Sequence, residues 1–162
     1  RRLHSDLAGL HANASQPLAW YRSPAVTTSA ADCPFCALAV PIVASNAIAV
    51  AVRDRFPVNP GHTLVIPRRH ISSWFDATKT ERTALFELVD EVRSLLRREL
   101  SPAGYNIGIN DGTAAGQTVP HLHIHVIPRF ESDVDNPAGG VRFVIPERGD
   151  YHEPGRVPIA KR

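Results

Sequence analysis

A chain of 162 residues fits one domain with room for a buried core, and 43 % hydrophobic against 21 % charged residues is the balance of an ordinary globular protein. A formal net charge of +2 gives no ground for nucleic acid or an anionic membrane as the main partner. No apolar run reaches the roughly 18 residues of a membrane span, and the first 30 residues hold no continuous apolar segment of the kind a retained signal peptide needs.

Residues 1–31 mix polar stretches with isolated apolar residues and read as an N-terminal extension, with Trp20 and Tyr21 placed to pin it to the body. Next come Cys33 and Cys36, the only cysteines, in Cys33-Pro34-Phe35-Cys36. This spacing suits a metal half-site or a redox pair better than a stapling disulfide, since so short a loop constrains the unfolded chain little. Inert thiols are the third reading. A reducing cytoplasm is the simplest setting for unbridged cysteines.

Residues 47–52 and 62–66 read as strands, separated by a turn-rich stretch with Pro57, Pro60 and Gly61, and Pro67 closes the second. Thr78-Lys79-Thr80-Glu81 has the form of a capping box, in which hydroxyl and carboxylate satisfy free backbone N–H groups. Leu85, Leu88, Val89, Val92, Leu95, Leu96 and Leu100 then recur at helical spacing. Arg97 and Arg98 suit the end of the helix dipole, and Pro102 and Gly104 stop the helix. Two more strands follow, 105–110 and 121–127, and a short strand-like piece lies at 142–145. Strands, a long helix and more strands predict an α+β domain with an antiparallel sheet.

The chemistry concentrates in Gly116-Gln117-Thr118-Val119-Pro120-His121-Leu122-His123-Ile124-His125. On a strand His121, His123 and His125 share one face, about 7 Å apart at a rise of about 3.3 Å per residue. Leu122, Ile124 and Val126 face the core. Three imidazoles on one face are hard to explain as packing. They fit either a metal site or nucleophilic and electrostatic work on an anion. No carboxylate lies within five residues of the run. The amides around Gly116, the Gln117 carboxamide and the Thr118 hydroxyl are instead suited to phosphate.

This segment, with the upstream Pro60-Gly61-His62-Thr63-Leu64-Val65-Ile66-Pro67, resembles the signature of the histidine-triad (HIT) family, and the matching segments run from Cys33 to about Tyr151. Thr118 and Pro128-Arg129 make the pattern more similar to the fragile-histidine-triad branch and its bacterial dinucleoside polyphosphate hydrolase relatives. The resemblance implies a single HIT domain over 32–151 with a long and a shorter helix, and a tail over 152–162.

It further implies a hydrolase or transferase that cleaves dinucleoside polyphosphates or nucleoside phosphoramidates at the α-phosphate. His123 would be the nucleophile, forming a nucleotidyl-histidine. His125, Gln117, Gly116 and Thr118 would stabilise the phosphate, and Asn110 would contact its side of the site. Asp54 would accept from the ribose hydroxyls, and His62 would support the site. His121 would brace the histidine segment and, with Cys33, Cys36 and His70, hold one structural zinc per chain. Gly139-Gly140-Val141-Arg142 would close near the nucleotide. A purine nucleotide containing AMP, accompanied by Mg, is the expected ligand. A two-fold homodimer pairing the long helix or the 105–110 strand is the expected assembly. A metal-dependent hydrolase built on the histidine segment and a nucleotide-binding sensor remain the alternatives. His4, His11 and His152 read as surface residues.

Overall fold

The computed structural model of the chain describes residues 29–149. Most of the expected N-terminal extension, Trp20, Tyr21, His4, His11, His152 and the 152–162 tail lie outside them.

Five strands form one antiparallel sheet: β1 (Ile42–Ser45), β2 (Ala49–Arg53), β3 (Thr63–Pro67), β4 (Gly104–Gly108) and β5 (Ile124–Arg129). Their order is β1-β2-β3-β5-β4, so β5 is inserted between β3 and the edge strand β4. The helix α1 (Lys79–Leu100) connects β3 to β4 and packs on one face of the sheet. The remaining helical pieces among the described residues are 3-10 turns, at Ala30–Asp32, Trp74–Asp76, Thr113–Ala115, Gly140–Val144 and Pro146–Arg148.

The alternation of the strands sorts their side chains between two clusters. Ala49, Ala51, Val65, Ile124 and Val126 meet Leu85, Leu88, Val89, Val92 and Leu96 of α1. The small alanines of β2 let the helix approach closely. On the opposite face Val50, Val52, Leu64 and Ile66 pack with Phe35 and Leu38. Each fully buried leucine, isoleucine or valine contributes roughly 1.5–3 kcal/mol. The capping box of α1 is formed, and its Glu81 carboxylate also takes a two-pronged ion pair from Arg69 at 2.7 and 2.8 Å. That pair ties the segment after β3 to the start of the helix.

Gly61 sets the entry to β3. Its φ of +83° lies in the left-handed region, and a Cβ there would stand 2.6 Å from Leu100 and 2.8 Å from Leu96.

The structure corrects several sequence-based expectations. β1, absent from the periodicity reading, is a short edge strand whose Ile42 is half exposed, so it carries no clean alternation. β3 includes Pro67, which pairs with Ala49. β5 begins at Ile124 and runs through Pro128, so His121 and His123 precede the strand. The backbone of 121–123 is diverted from the ladder: His121 N–H donates to Val119 O, and Leu122 N–H donates to Ile71 O. Residues 142–144 are not extended but belong to the 3-10 turn Gly140–Val144, entered through Gly139 and Gly140 at φ +93° and +49°; only Ile145, which caps it, has extended backbone. Among the described residues no helix is long and apolar enough to cross a membrane.

Candidate active site

The histidine segment delivers its side chains to two places. His123 and His125 line a cleft of about 580 Å³ on the sheet face away from α1, together with Asp54, Thr118, Phe35, Leu38 and Leu64. His121 does not reach this cleft. It is fully buried, with its ring against Cys33, Cys36 and His70.

Backbone carbonyls fix two of the three rings. A carbonyl can only accept, so His123 carries its proton on Nδ1, which donates to His121 O at 2.8 Å. The lone pair is thereby left on Nε2. His121 carries its proton on Nε2, donating to Pro67 O at 2.8 Å, and turns the Nδ1 lone pair toward the cysteines. Burial lowers the pKa of both imidazoles below the usual histidine range, so both are neutral near pH 7.

His125 is held by His62, with His125 Nδ1 3.0 Å from His62 Nε2. With the Val58 N–H as donor to His62 Nδ1 at 3.4 Å, the consistent tautomers carry the proton on Nε2 of His62 and on Nε2 of His125. His125 Nε2 is buried and has no partner among the described residues. Burial, reinforced by His123 and His62, pushes the His125 pKa down to about 4. Burial also lowers that of His62, against the opposing pull of Asp54, whose Oδ2 lies 3.4 Å from His62 Nδ1. The other Asp54 oxygen accepts from Phe56 N–H at 2.8 Å, so the carboxylate faces the cleft from a fixed turn.

The expected phosphate-side residues are only partly brought together. Thr118 lines the cleft with the histidines. Gln117 does not, because its carboxamide is used within the loops: Oε1 accepts from Gly112 N–H at 2.8 Å and Nε2 donates to Ser72 O at 2.7 Å. Gly116 takes the left-handed conformation, φ +85°, at the end of the loop's 3-10 turn. Asn110 stands in the adjoining cleft behind His125, with His62, Asn106, Val141 and Phe143. The glycine-rich C-terminal segment therefore does come up to this side of the site.

Cys33, Cys36, His70 and His121 form the second cluster, with one ligand atom from each lying within 4.8 Å of the others. Cys33 Sγ stands 3.3 Å and Cys36 Sγ 3.6 Å from His121 Nδ1, and Cys36 Sγ stands 3.3 Å from His70 Nδ1. Two free thiols and two imidazole nitrogens converging in this way can hold a metal ion. The intervening Phe35 meets the His123 ring edge-on, with centroids 5.2 Å apart, so the cysteine turn also walls the cleft. Sequence reasoning missed Phe35 and the apolar lining from Leu38 and Leu64; the one available signal was Phe35's place between the cysteines.

Fold and site together define a histidine-triad protein: the HIT domain profile matches residues 41–132, and the chain belongs to this family. Over 77 residues it is 48 % identical to the bis(5'-nucleosyl)-tetraphosphatase (asymmetrical) of Schizosaccharomyces pombe, a match covering 48 % of this chain and 42 % of the relative. Over 95 residues it is 36 % identical to an AP-4-A phosphorylase of Mycobacterium tuberculosis, covering 58 % of this chain and 49 % of that one. The chain thus spans about half the length of these relatives. A solved Zn-bound histidine triad family protein from Mycobacterium smegmatis superposes with a TM-score of 0.60 at 33 % identity, covering 65 % of this chain and 80 % of its own.

Proposed function

We propose that this chain is a nucleotide hydrolase or transferase that cleaves dinucleoside polyphosphates or nucleoside phosphoramidates at the α-phosphate through a nucleotidyl-histidine on His123. The observation that carries the reading is the His123 ring: neutral, proton held on Nδ1 by a backbone carbonyl, Nε2 lone pair left for attack. Attack forms an N–P bond and breaks the bond from phosphorus to the departing oxygen or nitrogen, whose electron pair leaves with it. Water then cleaves the N–P bond, which releases AMP or a similar nucleotide and restores the imidazole.

His125 Nε2–H, buried and unpartnered, is suited to donate to a phosphate oxygen, and Thr118 supplies a hydroxyl beside it. Asp54 accepts from the ribose hydroxyls, and Phe35, Leu38 and Leu64 cover the nucleoside. Asn110 and the Gly116 turn flank the leaving-group side, and Gln117 keeps the loop in place from behind. Relatives named as a tetraphosphatase and a phosphorylase of such nucleotides support this class of substrate. Mg accompanies the polyphosphate.

The second cluster is read as one structural zinc per chain. Ligand atoms around a tetrahedral zinc stand about 3.3–3.8 Å apart, given bonds of about 2.0–2.3 Å, and the observed separations of 3.3, 3.3 and 3.6 Å match those edges. The ion would cross-link the cysteine turn, the segment after β3 and His121, which orients His123. A homodimer across the free edge of β4 and cytoplasmic residence complete the proposal.

The test is a substrate panel comparing a dinucleoside tetraphosphate with an adenosine phosphoramidate by kcat/KM, in wild type and His123→Ala. Turnover of either one, lost in His123→Ala while AMP still binds, supports the reading. Turnover abolished by a chelator but retained in His123→Ala would favour a metal-dependent hydrolase. AMP binding without turnover would favour a sensor.

A further inference from the structure

Thr118 and Val119, which wall the cleft beside His123, end a loop that the histidine motif does not hold. That loop, residues 112–118, is closed on itself: Ala115 N–H and Gln117 N–H donate to Gly112 O at 3.0 and 3.2 Å, and Gly116 N–H donates to Thr113 O at 3.0 Å. Two glycines at positive φ, Gly112 at +87° and Gly116 at +85°, flank its 3-10 turn and let the chain turn that sharply. Its side chains from Thr113 to Ala115 are exposed, so packing does not fix its position.

Two side chains do. At the start of the loop the Asp111 carboxylate accepts from Ser73 Oγ–H at 3.1 and 3.0 Å and from Trp74 N–H at 2.7 Å. At its end Gln117 Nε2–H donates to Ser72 O at 2.7 Å. Both anchors land on the same short segment, and Leu122 N–H adds a third tie to Ile71 O at 2.6 Å. Residues 71–74 are themselves fixed: Ser73 caps the Trp74–Asp76 turn, and Arg69 and Arg82 bind carbonyls of that turn from either side. A half-buried carboxylate whose bonds run to one hydroxyl and one amide across two loops is a costly way to fill space, because a charged acceptor must be desolvated to make them.

We propose that Asp111 is a positioning residue: by fastening the start of the 112–118 loop to Ser73 and Trp74, it sets where Thr118 and Val119 stand relative to His123. The loop and the 71–74 segment then move as one body, and the phosphate-facing side of the cleft takes its position from the segment that follows His70. The inference rests on the proposed reaction for its kinetic arm and on the hydrogen bonds alone for its structural arm.

The experiment compares Asp111→Ala, Asp111→Asn and Ser73→Ala with wild type by amide hydrogen exchange and by steady-state kinetics with a dinucleoside tetraphosphate. In Asp111→Ala, amides of residues 112–119 should exchange at least about 10-fold faster while those of α1 are unchanged, the mark of a local opening. The same variant should lose about 10–100-fold in kcat with KM altered less than about 3-fold, since misplacement of about an ångström costs that much. Asp111→Asn keeps an acceptor for Trp74 N–H and should recover most of the rate. Ser73→Ala removes the bifurcated bond from Oγ–H without touching Asp111 and leaves Trp74 N–H, so it should give a smaller change of the same kind and carries the test if Asp111→Ala does not fold. Unchanged exchange at 112–119 in folded Asp111→Ala or Ser73→Ala overturns the proposal, as does a variant that only melts earlier at full kcat. If wild type turns nothing over, the proposed reaction fails, and the exchange result alone decides for or against the clamp.

Discussion

His62→Ala removes the side chain that holds His125, and its cost can be worked from the contacts. His62 is 3 % exposed and donates to His125 Nδ1 at 3.0 Å. Without it, the half-buried His125 ring has neither nitrogen partnered, because its buried Nε2 already lacks a partner among the described residues. Orphaning one buried acceptor costs about 1–3 kcal/mol. The lost packing adds to this, offset where water enters a polar space, so a total of roughly 2–4 kcal/mol is expected. For a chain of this size that lowers Tm by about 5–15 °C. The kinetic effect follows from geometry: a His125 free to rotate or change tautomer no longer presents Nε2–H to the phosphate. We expect kcat to fall about 10–100-fold, less than the loss of about 10²–10³ on removing the donor itself in His125→Ala. His62→Gln, which keeps an N–H donor near the same place, should recover part of both losses. Thermal unfolding and initial rates at 25 °C on the three variants are the assay. A His62→Ala protein within about a degree of wild type in Tm and with unchanged kcat would refute the reasoning.

The buried histidines also predict a pH dependence of stability. The His125 pKa is about 4 when folded, with His62, His123 and Asp54 facing it, against about 6.5 when unfolded. A group with a depressed folded pKa takes up protons first in the unfolded chain. Its stabilisation is complete above pH 6.5 and is lost as pH falls toward 4. The urea midpoint should therefore drop between pH 7 and pH 4, and His125→Gln should flatten that slope; a midpoint independent of pH over this range would count against buried neutral imidazoles. Purified protein should carry about one zinc per chain, measurable by elemental analysis. The double change Cys33→Ser with Cys36→Ser should abolish that metal and lower Tm more than it lowers activity at low temperature. Light scattering at micromolar concentration should return twice the chain mass of 17.7 kDa, with a single-chain mass excluding the dimer.

Periodicity made the helix and the sheet legible. α1 shows its buried face as Leu85, Leu88, Val89, Val92 and Leu96, because one face of a helix must repeat every three or four residues. The His123 and His125 pair was legible because imidazoles alternating with Ile124 and Val126 cannot all be core. Strand alternation alone put His121 on one face with His123 and His125; its place beside Cys33, Cys36 and His70 followed only from the family resemblance, because it depends on Pro67 O and on Leu122 pairing with Ile71, groups distant along the chain. The internal use of the Gln117 carboxamide was hidden for the same reason. The cleft wall was hidden differently. Val50, Val52, Leu64 and Ile66 read as core on any face, and nothing in an apolar strand says which side a ligand will meet. Asp111 carried no signal at all, because an aspartate before a glycine is ordinary turn chemistry.

The central claim is a covalent nucleotide on His123, and acid-quenched mass spectrometry during turnover of an AMP-containing substrate tests it most directly. The account predicts an AMP-sized adduct on the peptide containing His123, absent in His123→Ala, whose kcat should fall by several orders of magnitude while AMP affinity changes little. A fully resolved single turnover with no adduct, together with His123→Ala still working near the wild-type rate, would contradict it.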